Sequence, residues 1–283
     1  MSALTATWQT LAVQPGTRPG VVRVRMNRPQ VFNAFDEAMI AELDAVFGLL
    51  ADDDSARVIV LEGAGKAFSA GADLQWMQRA SQADFEWNLA DARRFAGMLW
   101  KIHHGPKPTI ARVQGVALGG GVGLACACDF AIASSRAQFA VSEAKFGILP
   151  SVIGPYLTNA VGKRQAMRLA LTTSRIGAAE AHRIGLVQQV TNDDGSPDGA
   201  AIALDAAVDA LVAELLMGGP NAQREIKALY AQMAVGPVSP DVLELTAQTI
   251  ARVRGTDEAK EGFAAFLAKR PAAWVPTESG ATT

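Results

Sequence analysis

The stretch Thr109-Ile110-Ala111-Arg112-Val113, followed shortly by Gly119-Gly120-Gly121-Val122-Gly123-Leu124, reads as a strand that passes through a side-chain-free turn into a helix. The same arrangement occurs upstream, where Arg57-Val58-Ile59-Val60-Leu61 precedes Gly65-Lys66-Ala67-Phe68-Ser69-Ala70-Gly71-Ala72-Asp73-Leu74. At such turns backbone N–H groups can approach a bound group closely, and the positive end of the helix dipole after Gly119 favours negative charge. Two such amides converging on one oxygen make an oxyanion hole. Downstream, Ser142-Glu143-Ala144-Lys145-Phe146-Gly147 carries a carboxylate, Glu143, just before an apolar run, where a glutamate taken by itself reads as a solvated helix residue.

Outward from these turns, short β-branched runs alternate with helical ones. Val21 to Met26, Val58 to Leu61, Ile110 to Val113, Phe130 to Ala133 and Leu186 to Val190 are expected strands, with helices at Asp36 to Leu50 and Phe85 to Ile102. The alternation predicts an α/β core with largely covered sheets. After the turn cluster Thr191 to Gly199 the strand pattern stops, and helices are expected at Ala201 to Met217, Ala222 to Met233, Val242 to Val253 and Asp257 to Lys269. A boundary therefore falls near residue 200, between a core at 1–199 and a helical region at 200–283. Those helices are Ala-rich and too few to bury a core of their own, so their apolar faces should pack on the core or on another subunit.

The chain has 283 residues, 49% of them hydrophobic and 19% charged, which suits one large globular domain or a core with an appendage. A net charge of -2 gives no reason to expect nucleic acid or an anionic membrane as partner. The uncharged stretch Gly115 to Cys128 is too short and Gly-rich to span a membrane, and no secretory signal is seen. Cys126 and Cys128 lack metal or redox spacing and read as small buried hydrophobes, with cytoplasmic residence as a weak inference. His103-His104, at a helix end, lack partners at metal-ligand spacing, so no metal is expected.

Taken together, Ala67 to Leu74, Gly119 to Asp129 and Ser142 to Pro150 resemble the signature segments of the crotonase superfamily, the enoyl-CoA hydratases and isomerases. Asn27-Arg28-Pro29 with Asn33-Ala34, Ala178 to Val190, and Glu261 to Arg270 match the same family in order, so the resemblance spans nearly the whole chain. It implies a spiral of ββα units with a C-terminal helical trimerisation region, giving a homotrimer or a dimer of trimers. It also implies an acyl-CoA thioester substrate, with coenzyme A arriving as part of that substrate and no separate cofactor. Residue by residue, it places the oxyanion donors at Ala70 and Gly120 and the acid/base carboxylate at Glu143. Ala34, Lys66, Ala72 and Asp73 correspond to the adenine-pocket neighbourhood, and Phe266 and Lys269 to contacts made across a subunit boundary.

One departure bears on the reaction. Well-known hydratases carry a second glutamate where this chain has Gly123, and the expectation is that Gly123 leaves room for water or a substrate group. Several isomerases of the family keep only the equivalent of Glu143. The local style, with Ala72-Asp73-Leu74-x-Trp76-Met77, Met98-Leu99-Trp100 and Ile153-Gly154-Pro155-Tyr156, looks most like bacterial methylglutaconyl-CoA or isohexenylglutaconyl-CoA hydratases. Hydratase is thus the leading reading and Δ3,Δ2-enoyl-CoA isomerase the alternative. Arg79, Lys101, His103 and Arg168 are the basic groups available to meet a distal carboxylate. A distant rival is a serine hydrolase, since Ser69, Asp129 and His182 occur in hydrolase order. The dinucleotide and phosphate-loop patterns fail, because Leu124 and Cys126 stand where glycine is needed, and Ala67 and Arg164 follow the Gly-Lys pairs.

Overall fold

The structure is a computed structural model that describes residues 2–192, 196–233 and 239–276. Its strands are β1 (Leu11–Pro15), β2 (Val21–Met26), β3 (Val58–Gly63), β4 (Thr109–Val113), β5 (Val116–Leu118), β6 (Phe130–Ala133), β7 (Gln138–Ala140), β8 (Ile176–Gly177) and β9 (Gln189–Val190). The helices are α1 (Glu37–Ala51), α2 (Leu74–Gln82), α3 (Phe85–His104), α4 (Gly120–Ala127), α5 (Gly154–Thr172) and α6 (Ala178–Arg183). They continue with α7 (Pro197–Met217), α8 (Pro220–Ala231), α9 (Pro240–Arg254) and α10 (Asp257–Leu267). Of the expected turn cluster at 191–199, residues 193–195 lie outside the described residues.

Two sheets result. The larger has strand order β1-β2-β3-β4-β6-β9, antiparallel only at β1–β2, and the smaller has the order β5-β7-β8. Successive turns of chain give one strand to each: β4 then β5 before α4, β6 then β7 before α5. An isolated bridge from Ser69 to Ala117 extends the small-sheet row back to the turn that follows β3. This is the ββα spiral that the resemblance implied.

Alternation along the strands decides which face meets which helix. Val22, Val24, Met26, Ile59 and Leu61 join the cluster that includes Leu43, Phe47 and Leu50 of α1 and Met98, Leu99 and Ile102 of α3. Val21, Val58, Val60, Ile110 and Ile132 face the other way and are covered by Leu204, Val208, Val212 and Leu216 of α7. The same face carries charge: Glu62, 2% exposed, pairs with Arg23 at 3.0 Å and Arg25 at 2.7 Å, and Asp205 of α7 takes Arg112 at 2.8 Å. Each of those buried charges therefore has a partner, the condition for tolerating them inside. The position expected as a boundary, 199/200, lies within α7, whose apolar face closes the sheet. Beyond it, α8 to α10 leave Ile226, Tyr230, Leu243, Ile250, Phe263, Phe266 and Leu267 exposed.

Four strands escaped the sequence pattern: β1, β5, β7 and β8. The strand expected over Leu186 to Val190 is reduced to Gln189–Val190, while Leu186 and Val187 are buried in a turn. Among the described residues no helix is long and apolar enough to cross a membrane.

Candidate active site

The first turn is held from several sides. Asn33, fully buried and left-handed at φ 54°, donates its side-chain amide to the carbonyls of Ala64 and Ala67 at 2.8 Å each. Ser69 Oγ donates to the Asn33 carbonyl at 2.8 Å and accepts from Gly71 N–H at 3.1 Å. Ser69 N–H and Leu118 N–H then tie this turn to β5, through the carbonyls of Val116 and Ser69. The two glycine-rich turns thus become neighbours: a Cβ on Gly71 would stand 2.5 Å from the Leu118 carbonyl and 3.4 Å from Gly120 N.

This network corrects one assignment. The Ala70 N–H is committed to the Phe32 carbonyl at 2.9 Å, so Ala70 has no free donor to offer an oxyanion. Two residues on, Asp73 N–H goes to the Phe35 carbonyl and Phe35 N–H to Gly71, while Ala72 N–H has no partner among the described bonds. Gly120 N–H is equally unclaimed at the first position of α4, where helix amides lack intrahelical acceptors. The free pair is therefore Ala72 and Gly120. Phe35 backs it, since a Cβ on Gly120 would meet the Phe35 ring at 2.2 Å.

Glu143 begins a 3-10 turn, Glu143–Phe146, just after β7. Its carboxylate lies against Gly119, whose added Cβ would stand 3.1 Å from Glu143 Oε1, and Gly119 itself has φ 49°. A side chain at Gly119 would intrude on the carboxylate as well as strain the backbone. Glu143 Oε2 is buried without a hydrogen-bond partner. Burial raises the acid's pKa above its ordinary 4.5, with the amides of Glu143 and Ser142 acting weakly in the opposite sense. A sheltered, half-idle carboxylate beside the free amides is suited to taking up and returning a proton.

The space at Gly123 is not open. Gly123 is buried in α4, and an added Cβ would come within 2.2 Å of Ile153 Cγ2 and 2.8 Å of Ile153 Cβ. Ile153, itself 2% exposed, fills the position, so the expected room for water or a substrate group is absent. Sequence reading missed Ile153 as a site residue because its contact depends on α5 packing against α4.

The remaining candidates fall into place as follows. Asp73 caps α2 through Gln75 and Trp76 N–H and pairs with Arg28 at 3.0 Å. Burial would raise its pKa, but those amides and Arg28 hold it below 3.8. Ala34 is nearly buried, with its carbonyl accepting from Arg28, and Lys66 is exposed on the first turn. Phe266 is 80% exposed and, with Phe263 and Trp274, lines a groove of about 650 Å³ among the C-terminal helices. Lys269 follows α10 in a left-handed conformation, φ 53°. Arg79, Lys101 and Arg168 are paired with Glu37, Asp44 and Glu180. His103 is set against Tyr156 and the Ala127 carbonyl, and burial lowers its pKa.

The hydrolase constellation is not assembled. Ser69 Oγ is engaged with Asn33 and Gly71, Asp129 with Thr109 and Lys227, and His182, exposed near the end of α6, has Nδ1 3.2 Å from the Val187 carbonyl. Cys126 and Cys128 are free and buried, and burial pushes the Cys126 thiol up to about 12. Among the described residues no cluster of His, Cys, Asp or Glu could hold a metal.

The site thus combines a spiral α/β core, two unclaimed backbone amides on neighbouring turns and a buried carboxylate. Residues 16–277 match the model of the enoyl-CoA hydratase/isomerase family, and the chain belongs to that family. It is 37% identical over 266 residues to a probable enoyl-CoA hydratase of Rhizobium meliloti, covering 94% of this chain and 97% of that protein. Among solved structures, an enoyl-CoA hydratase from Shewanella pealeana is 38% identical with a TM-score of 0.88, over 95% of this chain and 97% of that one. Pseudomonas aeruginosa AtuE is also 38% identical, with a TM-score of 0.87 over 94% of this chain and all of its own.

Proposed function

We propose that this protein is an enoyl-CoA hydratase that adds water across the 2,3 double bond of a 2-enoyl-CoA thioester. The observation that carries the reading is that the Ala72 and Gly120 amides are unclaimed on adjoining turns, with the buried, partnerless Glu143 Oε2 beside Gly119. The thioester oxygen would accept from both amides, and one well-aimed donor of this kind contributes about 3–4 kcal/mol as enolate charge develops. Glu143 would take a proton from water as its oxygen bonds C3, then return it to C2, so one carboxylate closes the cycle. Names of the relatives support hydration, and the sequence style around Trp76 and Ile153 supports a branched glutaconyl chain.

A second reading has its own support. With Ile153 in the place of a second carboxylate, Glu143 works without a titratable partner there, which suits a Δ3,Δ2-isomerase shuttling one proton between C2 and C4. The two separate on products from matched 2-enoyl and 3-enoyl substrates in oxygen-labelled water. Label at C3 supports hydration; 3-enoyl to 2-enoyl conversion without incorporation overturns it in favour of the isomerase. Ala34, Lys66 and Asp73 remain our proposed surroundings of the coenzyme A moiety, in a cytoplasmic enzyme. The exposed apolar faces of α8 to α10, with Phe266 and Lys269, support assembly as a trimer or dimer of trimers.

A further inference from the structure

A buried tryptophan ordinarily needs an acceptor for its indole N–H. Trp8 and Trp274, only half-buried, still have one: their Nε1 atoms donate to the carbonyls of Ala3 and Met217, each at 3.0 Å. Trp76 differs: it is 7% exposed, and its Nε1 is buried with no partner. Its only polar atom is therefore idle. Trp76 lies in the first turn of α2, four residues after the free Ala72 amide, and its ring packs against Phe35 at 6.1 Å, the same ring that touches Gly120. Phe95 lies edge-on at 6.5 Å, and a π face is the most it can offer the N–H, a much weaker partner than oxygen.

An idle donor beside the reacting locus resembles a group waiting for an acceptor on the ligand, because leaving it unpaired in the complex would carry a penalty that an oxygen atom removes. The basic groups considered for a distal carboxylate are otherwise engaged: Arg79, Lys101 and Arg168 already have carboxylate partners, and His103 lies against the Ala127 carbonyl and Tyr156, with burial disfavouring its cation. We propose that Trp76 is a specificity residue whose indole N–H binds an oxygen carried by the acyl chain beyond the reacting carbons. Oxygen-bearing thioesters are then preferred to plain hydrocarbon ones. The inference rests on the acyl-CoA reading of the site but not on which reaction follows.

The test uses the full-length protein with 15N-labelled tryptophan and three unreactive saturated probes: pentanoyl-CoA, glutaryl-CoA and 5-hydroxypentanoyl-CoA. The Nε1–H resonance absent from Trp76→Phe should move downfield with one or both oxygenated probes and stay in place with pentanoyl-CoA. Glutaryl-CoA acting alone assigns a carboxylate, and the hydroxy probe acting equally assigns a neutral oxygen. In turnover, Trp76→Phe should lower kcat/KM about tenfold or more on 3-methylglutaconyl-CoA, that is ~1.4 kcal/mol, and under about twofold on crotonyl-CoA. No shift beyond that of pentanoyl-CoA, or equal losses on both substrates, overturns the proposal. A selective shift in a protein that turns over neither substrate refutes the hydratase and leaves Trp76 as an acyl-oxygen donor.

Discussion

Gly123→Ala tests whether the position of the missing carboxylate is filled or open. The new Cβ would sit 2.2 Å from Ile153 Cγ2, with both residues buried, so neither can turn away into solvent. Overpacking of this kind costs ~1–3 kcal/mol, against up to ~1 kcal/mol gained from the better helix propensity of Ala. Ile153→Ala alone should cost ~2–5 kcal/mol through lost burial and the cavity it leaves. Combined, the new methyl enters that cavity, and the double variant should be more stable than the sum of the singles by ~0.5–3 kcal/mol. Denaturant melts of the four proteins give the coupling directly. A neutral Gly123→Ala with strictly additive energies would show that the space is open and that water can replace the absent glutamate. The same contact explains why Gly123→Glu alone should fail to restore a two-carboxylate site.

Glu143→Gln should retain the fold and lower turnover at least about a hundredfold, because the amide keeps the shape but cannot accept a proton; near-native turnover removes Glu143 from the mechanism. Burial raises this acid's folded pKa, so its favourable contribution to stability is present in acid and lost as pH rises through that pKa. Thermal melts should therefore find Glu143→Gln more stable than wild type at neutral pH and level with it in acid, and the acid limb of the wild-type rate profile should lie above 4.5. Replacing Ala72 by lactic acid, an ester in place of the amide, should cost ~100- to 1000-fold in kcat with little loss of stability. At Ala70 the same change breaks the bond to Phe32 and should cost ~0.5–1.5 kcal/mol of stability, and the reverse pattern of activity loss would return the donor to Ala70. Light scattering should find trimers or hexamers, and a fully active monomer at working dilution overturns the subunit role given to Phe266 and Lys269.

The long elements were legible because their patterns are local. The helix expected over Asp36 to Leu50 is observed at Glu37–Ala51 with Asp36 as its cap, and Val21 to Met26 forms as expected. β5, β7 and β8 are too short for any periodicity to register, and their strand character comes from pairing with distant segments. The site divides similarly. Gly120 and Glu143 stand in recognisable segments, but whether an amide in Ala70-Gly71-Ala72 is free depends on the carbonyls of Phe32 and Phe35, which nothing in those three residues announces. Trp76 and Ile153 were visible only as matters of sequence style, since one is defined by a missing acceptor and the other by a helix contact.

The spiral accounts for why residues far apart in sequence share one site. Ser69, Ala117 and Phe139 lie in one row of the small sheet, each contributed by a successive turn of the chain. Three residues past Ser69 stands Ala72, three past Ala117 stands Gly120, and four past Phe139 stands Glu143. Each turn thus delivers its chemical group at the same end of its strand or bridge, and parallel stacking brings the groups together without any of them contacting through side chains. In the proposed mechanism the donors are backbone atoms fixed by this stacking, whereas the groups proposed to shape reaction and substrate, Glu143, Ile153 and Trp76, are side chains hung around it. Substituting those side chains should therefore redirect the chemistry while the oxyanion pair and the fold remain, and substituting Asn33 or Gly71, which hold the stack, should not.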